Sequence, residues 1–301
     1  MSKKILVLYY TQTGQLEEIL KSFLEPFSGS EHELEMIRVY PENDYSFPWS
    51  GKRFFREMPE CASGSVVPLK PFSLKQKAYD LIVLGYQPWF LSPSPPVNSI
   101  LQNADVKSVL KNTPVLTITG ARNMWISALE RIKKSLKESG AKHAGNIVLV
   151  DKAQNHVSVV TICYWMFSGK KDKFMGFFPK PGVSEHDIHH ASVFGAIVKK
   201  HLEKGSWSEL QNELFENKAV VINYNLMYTE LKGSRLFGIW ASIIKKKKNK
   251  DAWLVLFKYY LIIALFIAAP IILSLHTILV RPFIGKRVKK QFNYYSGVNY
   301  N

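Results

Sequence analysis

Cysteine is nearly absent from this chain: two of 301 residues, Cys61 and Cys163, in unrelated contexts and without C-x-x-C spacing. That scarcity excludes a disulfide framework and a cysteine metal site, and it fits a reducing compartment. Two nucleotide fingerprints are also missing, G-x-G-x-x-G and G-x-x-x-x-G-K-[ST], as is the G-x-S-x-G elbow of serine hydrolases. The first apolar run, Ile5 to Tyr10, is six residues, short of a secretory h-region, so no signal peptide is expected. Acids are scarce toward the end: residues 245–301 hold eleven Lys or Arg and one acid, Asp251. Of the net charge of +16, that stretch carries +10 and residues 1–244 carry +6. The basicity therefore belongs to a C-terminal tail whose setting argues against nucleic acid as partner.

What is present begins with 47% hydrophobic and 13% aromatic residues, enough to bury a sizeable core. Tyr259 to Val280 is a run of 22 residues without a formal charge, long enough to cross a hydrocarbon core as a helix. Lys245 to Lys250 precede it, and Arg281, Lys286, Arg287, Lys289 and Lys290 follow. Trp253, Tyr259 and Tyr260 stand where an interfacial belt would. Membrane association is the expectation. Both flanks are basic and Pro270 interrupts the run, so a span and a segment that dips and returns both remain open, with the span favoured.

Strand and helix signals alternate through the first two-thirds, the pattern of a doubly wound parallel sheet. Strands are expected near Ile5–Tyr10, Leu34–Val39, Leu81–Leu84, Val115–Thr119 and Ile147–Val150, with helices near Ser99–Leu110, Ile126–Ser139 and Ser184–Lys204. Two segments, 40–78 and 151–183, exceed ordinary connections and read as long aromatic loops, which usually carry function or cover a surface. The expected organisation is an α/β domain at 1–205 with those inserts, a helical connector with a basic run at 206–253, a membrane helix at 254–280 and a basic tail at 281–301.

The first strand breaks into Thr11-Gln12-Thr13-Gly14-Gln15, and an amphipathic helix starts at once with Leu16, Ile19, Leu20 and Phe23 on one face. Such a loop aims backbone N–H groups, two hydroxyls and a helix N-terminus at one point, which suits a phosphate monoester. An ordinary strand-to-helix turn has the same pattern, so the loop alone leaves its ligand open. Two more loops sit at the same expected edge. Gly85-Tyr86-Gln87-Pro88-Trp89-Phe90 offers Pro88 and the aromatic pair Trp89 and Phe90 for stacking. Thr119-Gly120-Ala121-Arg122-Asn123 offers Thr119, Gly120 and two donors, Arg122 and Asn123. Arg122 and His156, the latter beyond the fifth strand, are the candidate catalytic groups. His186, His189 and His190 share a helix face, but no second cluster completes a metal site, and a polar face is the expectation.

The first loop resembles the T-x-T-G-x-T phosphate loop of flavodoxin-like proteins, except that Leu16 replaces the third hydroxyl. The second resembles the G-x-x-P-aromatic turn of flavodoxin-like quinone reductases. The resemblance implies a flavodoxin-like five-stranded parallel sheet and FMN as cofactor, held by the three loops. Tyr9 to Glu18, Phe47-Pro48-Trp49 with Lys52-Arg53-Phe54-Phe55, Gly85 to Phe90 and the hydrophobic tail are together similar to the dialkylresorcinol condensing enzymes of aryl-lipid and flexirubin pigment clusters. That similarity implies oxidative aromatisation and decarboxylation of a lipid-like cyclohexanedione carboxylate made by a ketosynthase-type partner, at the cytoplasmic face of a bacterial inner membrane. Lys52 and Arg53 are further candidate clamps for that carboxylate. On the same residues, the alternatives are a membrane-associated NAD(P)H- or quinone-linked oxidoreductase and a non-catalytic membrane-tethered electron-transfer or scaffold module.

Overall fold

The structure is a computed structural model that describes residues 2–298. Five parallel strands run β1 (Lys4–Tyr9), β2 (Glu33–Arg38), β3 (Leu81–Tyr86), β4 (Pro114–Ala121) and β5 (Lys142–Val150), in the order β2-β1-β3-β4-β5. Ile5, Leu6 and Val7 are wholly covered because helices pack on both faces, which is why these strands read as unbroken apolar runs. One face is covered by α1 (Gln15–Leu24) and α7 (Glu185–Lys204). The other is covered by α3 (Pro95–Gln102), α4 (Ala104–Leu110) and α5 (Ile126–Glu138). This order is that of the flavodoxin-like fold, and it sets the strand carboxyl ends along one edge.

The expected helix across Ser99–Leu110 is two. Asn103 breaks it, its side chain accepting from the Val106 N–H at 3.0 Å and so capping α4. Both long aromatic segments, read as loops, carry helices: α2 (Gly51–Ser63) and α6 (Asn155–Ser168). Pro59 inside α2 speaks against a helix although its apolar residues share one face, and the β-branched, unpatterned run of α6 shows no helical period. Their caps are nonetheless in place: Ser50 accepts from the Arg53 N–H, and Gln154 accepts from the N–H groups of His156 and Val157.

Beyond α7 come α8 (Leu210–Glu216), α9 (Tyr224–Lys245), α10 (Lys250–Ile263), α11 (Ala269–Leu279) and α12 (Gly285–Ser296). A five-residue π-turn, Ala264–Ala268, joins α10 to α11. Pro270 follows directly and has no N–H for the Phe266 carbonyl, so the widened turn absorbs the proline without breaking the helix. Lys250–Leu279 is thus one helix of 30 residues, long and apolar enough to cross a membrane, with 6% of its most apolar window buried.

Both of its ends return to the α/β domain. At the start, Asp251 pairs with Arg56 at 2.8 Å and Lys52 at 3.3 Å. After the end, α12 docks: the Tyr294 hydroxyl donates to the Glu130 carboxylate at 3.0 Å, and Gln211 donates to the Ser296 carbonyl at 2.9 Å. Alongside, α9 packs on α2 and α5.

Candidate functional site

The β1–α1, β3–α3 and β4–α5 loops meet at the carboxyl edge of the sheet, around a cavity of about 240 Å³. Gly14 caps α1 at φ 88°, a left-handed conformation that a β-branched residue strongly resists. The loop is braced from within. Thr11 Oγ1 accepts from the Gly14 N–H at 3.1 Å, and Thr13 Oγ1 accepts from the Gln15 N–H at 3.4 Å. The Gln15 side chain donates to the Val183 carbonyl at 3.1 Å and accepts from its N–H at 3.0 Å. That amide is therefore spent on fixing the loop to the segment before α7, and Gln12 and Thr13 are the loop side chains left facing the cavity.

The second loop is a hairpin in which Pro88–Trp89 pair with Ser92–Pro93. Its tip residues, Phe90 and Leu91, have φ of 49° and 61°. A two-residue hairpin of this kind calls for positive φ at both positions, a role normally left to Gly or Asn. Holding Phe90 and Leu91 there costs on the order of 1 kcal/mol each, a strain that persists where a side chain must be aimed. Both point their chains at cavities: Phe90 lines the edge cavity and the chamber behind it, and Leu91 lines that chamber. Trp89 stands edge-on to Tyr45 and Trp49, with ring centroids 5.0 Å apart in each case. The two aromatic segments close the remaining wall with Trp49, Phe54, Trp165 and Met166, and the Trp49 N–H donates to the Met166 carbonyl at 2.8 Å to join them.

In the third loop Gly120 and Arg122 line the cavity. The Arg122 guanidinium donates to the Asn155 side-chain oxygen at 2.9 Å and to its carbonyl at 3.1 Å. Its pKa is pulled down to about 10, mainly by loss of water, against the opposing pull of Cys163, Asp151 and Glu230; it is still a cation at neutral pH. Burial raises the pKa of the Cys163 thiol, against the opposing pull of the Arg122 cation. Asn123 donates to the same Asn155 oxygen at 2.8 Å, while its own Oδ1 is buried without a partner among the described residues.

Of the sequence-derived site residues, Gln12, Thr13, Gln15, Pro88, Trp89, Phe90, Gly120 and Arg122 converge on the cavity. Thr11, Gly14, Thr119 and Asn123 support it from behind, with Thr119 fully buried. His156 does not line it. Its Nε2 lies 3.3 Å from the Leu265 carbonyl, in the π-turn of the long helix, and its ring is 5.5 Å from Phe266. Lys52 is taken by Asp251, and Arg53 donates to the Asp44 carbonyl at 2.7 Å, so neither reaches the cavity. His186, His189 and His190 lie along α7, where His189 is bonded to the Glu185 carbonyl at 2.8 Å.

The residue that sequence reasoning missed is Glu230. It is 1% exposed on α9, and its carboxylate accepts from the Trp125 N–H at 3.1 Å and the Ser127 N–H at 2.6 Å. It thereby caps α5 from another element and holds the loop that carries Arg122. Burial outweighs those hydrogen bonds and the helix N-terminus, lifting its pKa to about 7. A lone acid in an apolar helical stretch was the available signal.

A larger chamber of about 580 Å³ adjoins the cavity, between α9 and the π-turn region of the long helix. Phe54, Pro88, Phe90 and Arg122 belong to both walls. The rest of the chamber is mostly apolar, with Ala264, Ala268 and Gly233 leaving room among Leu236, Phe237 and Ile272, and with Thr229 and Lys232 of α9 among its polar residues.

No protein-family model matches the sequence, and no curated protein matches it. Solved structures similar to it include flavoproteins. One is a flavoprotein from Lactobacillus acidophilus NCFM in complex with FMN, 15% identical, covering 49% of this chain and 93% of that one at a TM-score of 0.40. Another is oxidised flavodoxin 1 from Bacillus cereus, 15% identical, covering 66% and 98% at 0.36. A third is a flavodoxin from the domain Archaea, 10% identical, covering 66% and 99% at 0.37. The strand order, rather than these likenesses, is what assigns the chain to the flavodoxin-like fold.

Proposed function

We propose that this chain is a membrane-associated, FMN-dependent oxidoreductase that acts on a ring bearing apolar chains and a carboxylate. The observation that carries the reading is the shared wall: a loop-built cavity at the sheet edge adjoins a mostly apolar chamber, with Arg122 in the lining of both.

The residues fit the cofactor. Gln12 and Thr13 stand at a helix N-terminus where a phosphate is favoured. Trp89, Trp165 and Phe90 offer apolar faces to a flat ring, and Trp49 Nε1, buried and unpartnered among the described residues, is a free donor in that wall. Leu16 in place of a third hydroxyl leaves the phosphate fewer contacts. When bound, FMN would supply a two-electron acceptor. Arg122 would hold the substrate carboxylate by a charge-assisted pair strengthened by low local polarity. The aromatic walls exclude water, and the chamber receives the chains. The dialkyl cyclohexanedione carboxylate suggested by the family resemblance has this shape, and a ketosynthase-type partner would supply it.

The long helix supports lying along one leaflet over crossing. A span would carry α12 to the far side, away from Glu130 and Gln211, to which it is bonded. Both basic flanks stay on one side, as anionic headgroups favour. Ile267, Ile271, Leu275 and Ile278, spaced on one face, are 53–70% exposed and form a surface for lipid.

Flavin absorbance of the detergent-purified chain tests the cofactor. Thr13→Ala combined with Gly14→Val should weaken FMN binding by about tenfold or more, since a β-branched residue resists the Gly14 conformation. Unchanged flavin occupancy would overturn the loop assignment. Incubation with a dialkyl cyclohexanedione carboxylate should yield the resorcinol, and failure of the FMN-loaded protein to do so would refute that substrate.

A further inference from the structure

A second built recess, of about 500 Å³, lies between α9, the end of α11 and α12. Lys232 and Arg235 enter it from α9 and Arg287 from α12, and its lining holds no Asp or Glu. None of these three cations is in an ion pair among the described residues, whereas Lys152 and Lys200, also exposed, are paired with Asp187 and Glu213. Three like charges held together without a counterion repel one another, an arrangement that an anion relieves.

His276 supplies an independent indication. It is 8% exposed on an otherwise apolar helix, lines the recess, and its Nδ1 is buried without a partner among the described residues. Its ring packs 4.0 Å from that of Tyr228. A buried imidazole nitrogen with no partner is expensive unless a ligand completes it.

Position narrows the ligand. The recess sits at the end of the apolar helix, with Val280 and Ile284 in its wall, and the adjoining Leu279 and Phe283 are 63% and 85% exposed. An anion there comes with hydrocarbon beside it. We propose that Lys232, Arg235, Arg287 and His276 form a site for the phosphate of one anionic phospholipid, whose chains lie along the exposed face of the long helix. Arginine matches a phosphate with two parallel donors, and lysine adds a point charge. The site rests on the membrane reading above; Tyr228 and Lys232 also line the chamber beside the flavin cavity, whereas Arg235, His276 and Arg287 line this recess and not that chamber.

The test uses the full chain in mild detergent, supplied with phosphatidylglycerol, with native mass spectrometry counting retained lipid. One retained phosphatidylglycerol per chain is expected, with phosphatidylcholine not retained. Lys232→Gln, Arg235→Gln and Arg287→Gln together should lower retention on the order of 100-fold. Lys246→Gln, Lys247→Gln and Lys248→Gln together remove the same charge from the exposed run and should leave retention intact. Arg287→Gln alone, on the outermost helix, should cost about fivefold and guards against misfolding of the triple variant. Equal losses from both triples, or equal retention of phosphatidylcholine, would overturn the site. Displacement by excess inorganic phosphate would make it a free-anion site and refute the lipid. Vesicle flotation separates the two readings: a chain that floats with vesicles but retains no lipid refutes the recess alone, whereas one that does not float refutes the membrane reading.

Discussion

The two most apolar stretches of the chain meet opposite fates. In β1, Ile5, Leu6 and Val7 are fully covered, by α1 and α7 on one side and α3 to α5 on the other. In the long helix, residues of the same type at Ile267, Ile271, Leu275 and Ile278 remain more than half exposed. The strand run is short and flanked by helices that complete its burial. The helix run spans 30 residues and is held at its two ends, so most of its length is left uncovered by the protein. Apolar composition sets the demand for burial, and the neighbours decide how much of it the protein itself meets.

That contrast can be broken at its extremes. Val7→Asp puts an unpaired carboxylate between two layers and should abolish folding, a loss above about 5 kcal/mol, seen as a missing thermal transition. Ile271→Asp, Leu275→Asp and Ile278→Asp together should leave the melting temperature within a few degrees but remove vesicle binding. If the triple variant unfolds instead, the face is protein-facing and the contrast fails.

Smaller substitutions sharpen it. A Cβ on Gly195 in α7 would stand 1.9 Å from the Phe23 carbonyl oxygen, so Gly195→Ala should force α1 and α7 apart and cost about 3 kcal/mol or more by chemical denaturation.

Glu230 tests the seam between the two regions. Its pKa of about 7 stands above the ordinary 4.5, so the folded state holds its proton more tightly than the unfolded chain does. That contribution is complete below about pH 4.5 and fades as pH rises to about 7. Stability should therefore fall by about 2–3 kcal/mol across that window, and Glu230→Gln should flatten the profile. An unaltered profile would mean that α9 does not seat its carboxyl on α5.

The smallest effect is expected at Gly238 in α9, where a Cβ meets nothing within 4 Å. Gly238→Ala should raise stability by up to about 1 kcal/mol.

Much of the α/β half was legible because its signals are local. The alternation of strands and helices, the Ser184 cap whose hydroxyl accepts from the Asp187 N–H, and the Gly205 stop are each read within a few residues. The three loops were legible as strand ends. Their partners were not: Asn155, which ties Arg122 and Asn123, lies more than thirty residues away, and Glu230 more than a hundred. The helices α2 and α6 were hidden for other reasons: Pro59 reads as a helix breaker inside α2, and the evenly apolar run of α6 leaves no 3.6-residue period.

The sequence by itself determined the doubly wound sheet, the three loops at one edge and the existence of a long uncharged run able to form a helix. Each of these follows from short-range patterning of apolar residues and turn formers. Only the tertiary structure decided that His156 faces the π-turn instead of the cavity, that Arg122 stands between cavity and chamber, and that both ends of the long helix return to one domain. Those outcomes depend on which side chains meet across distant segments, where packing and charge pairing act through space and leave no period in the chain.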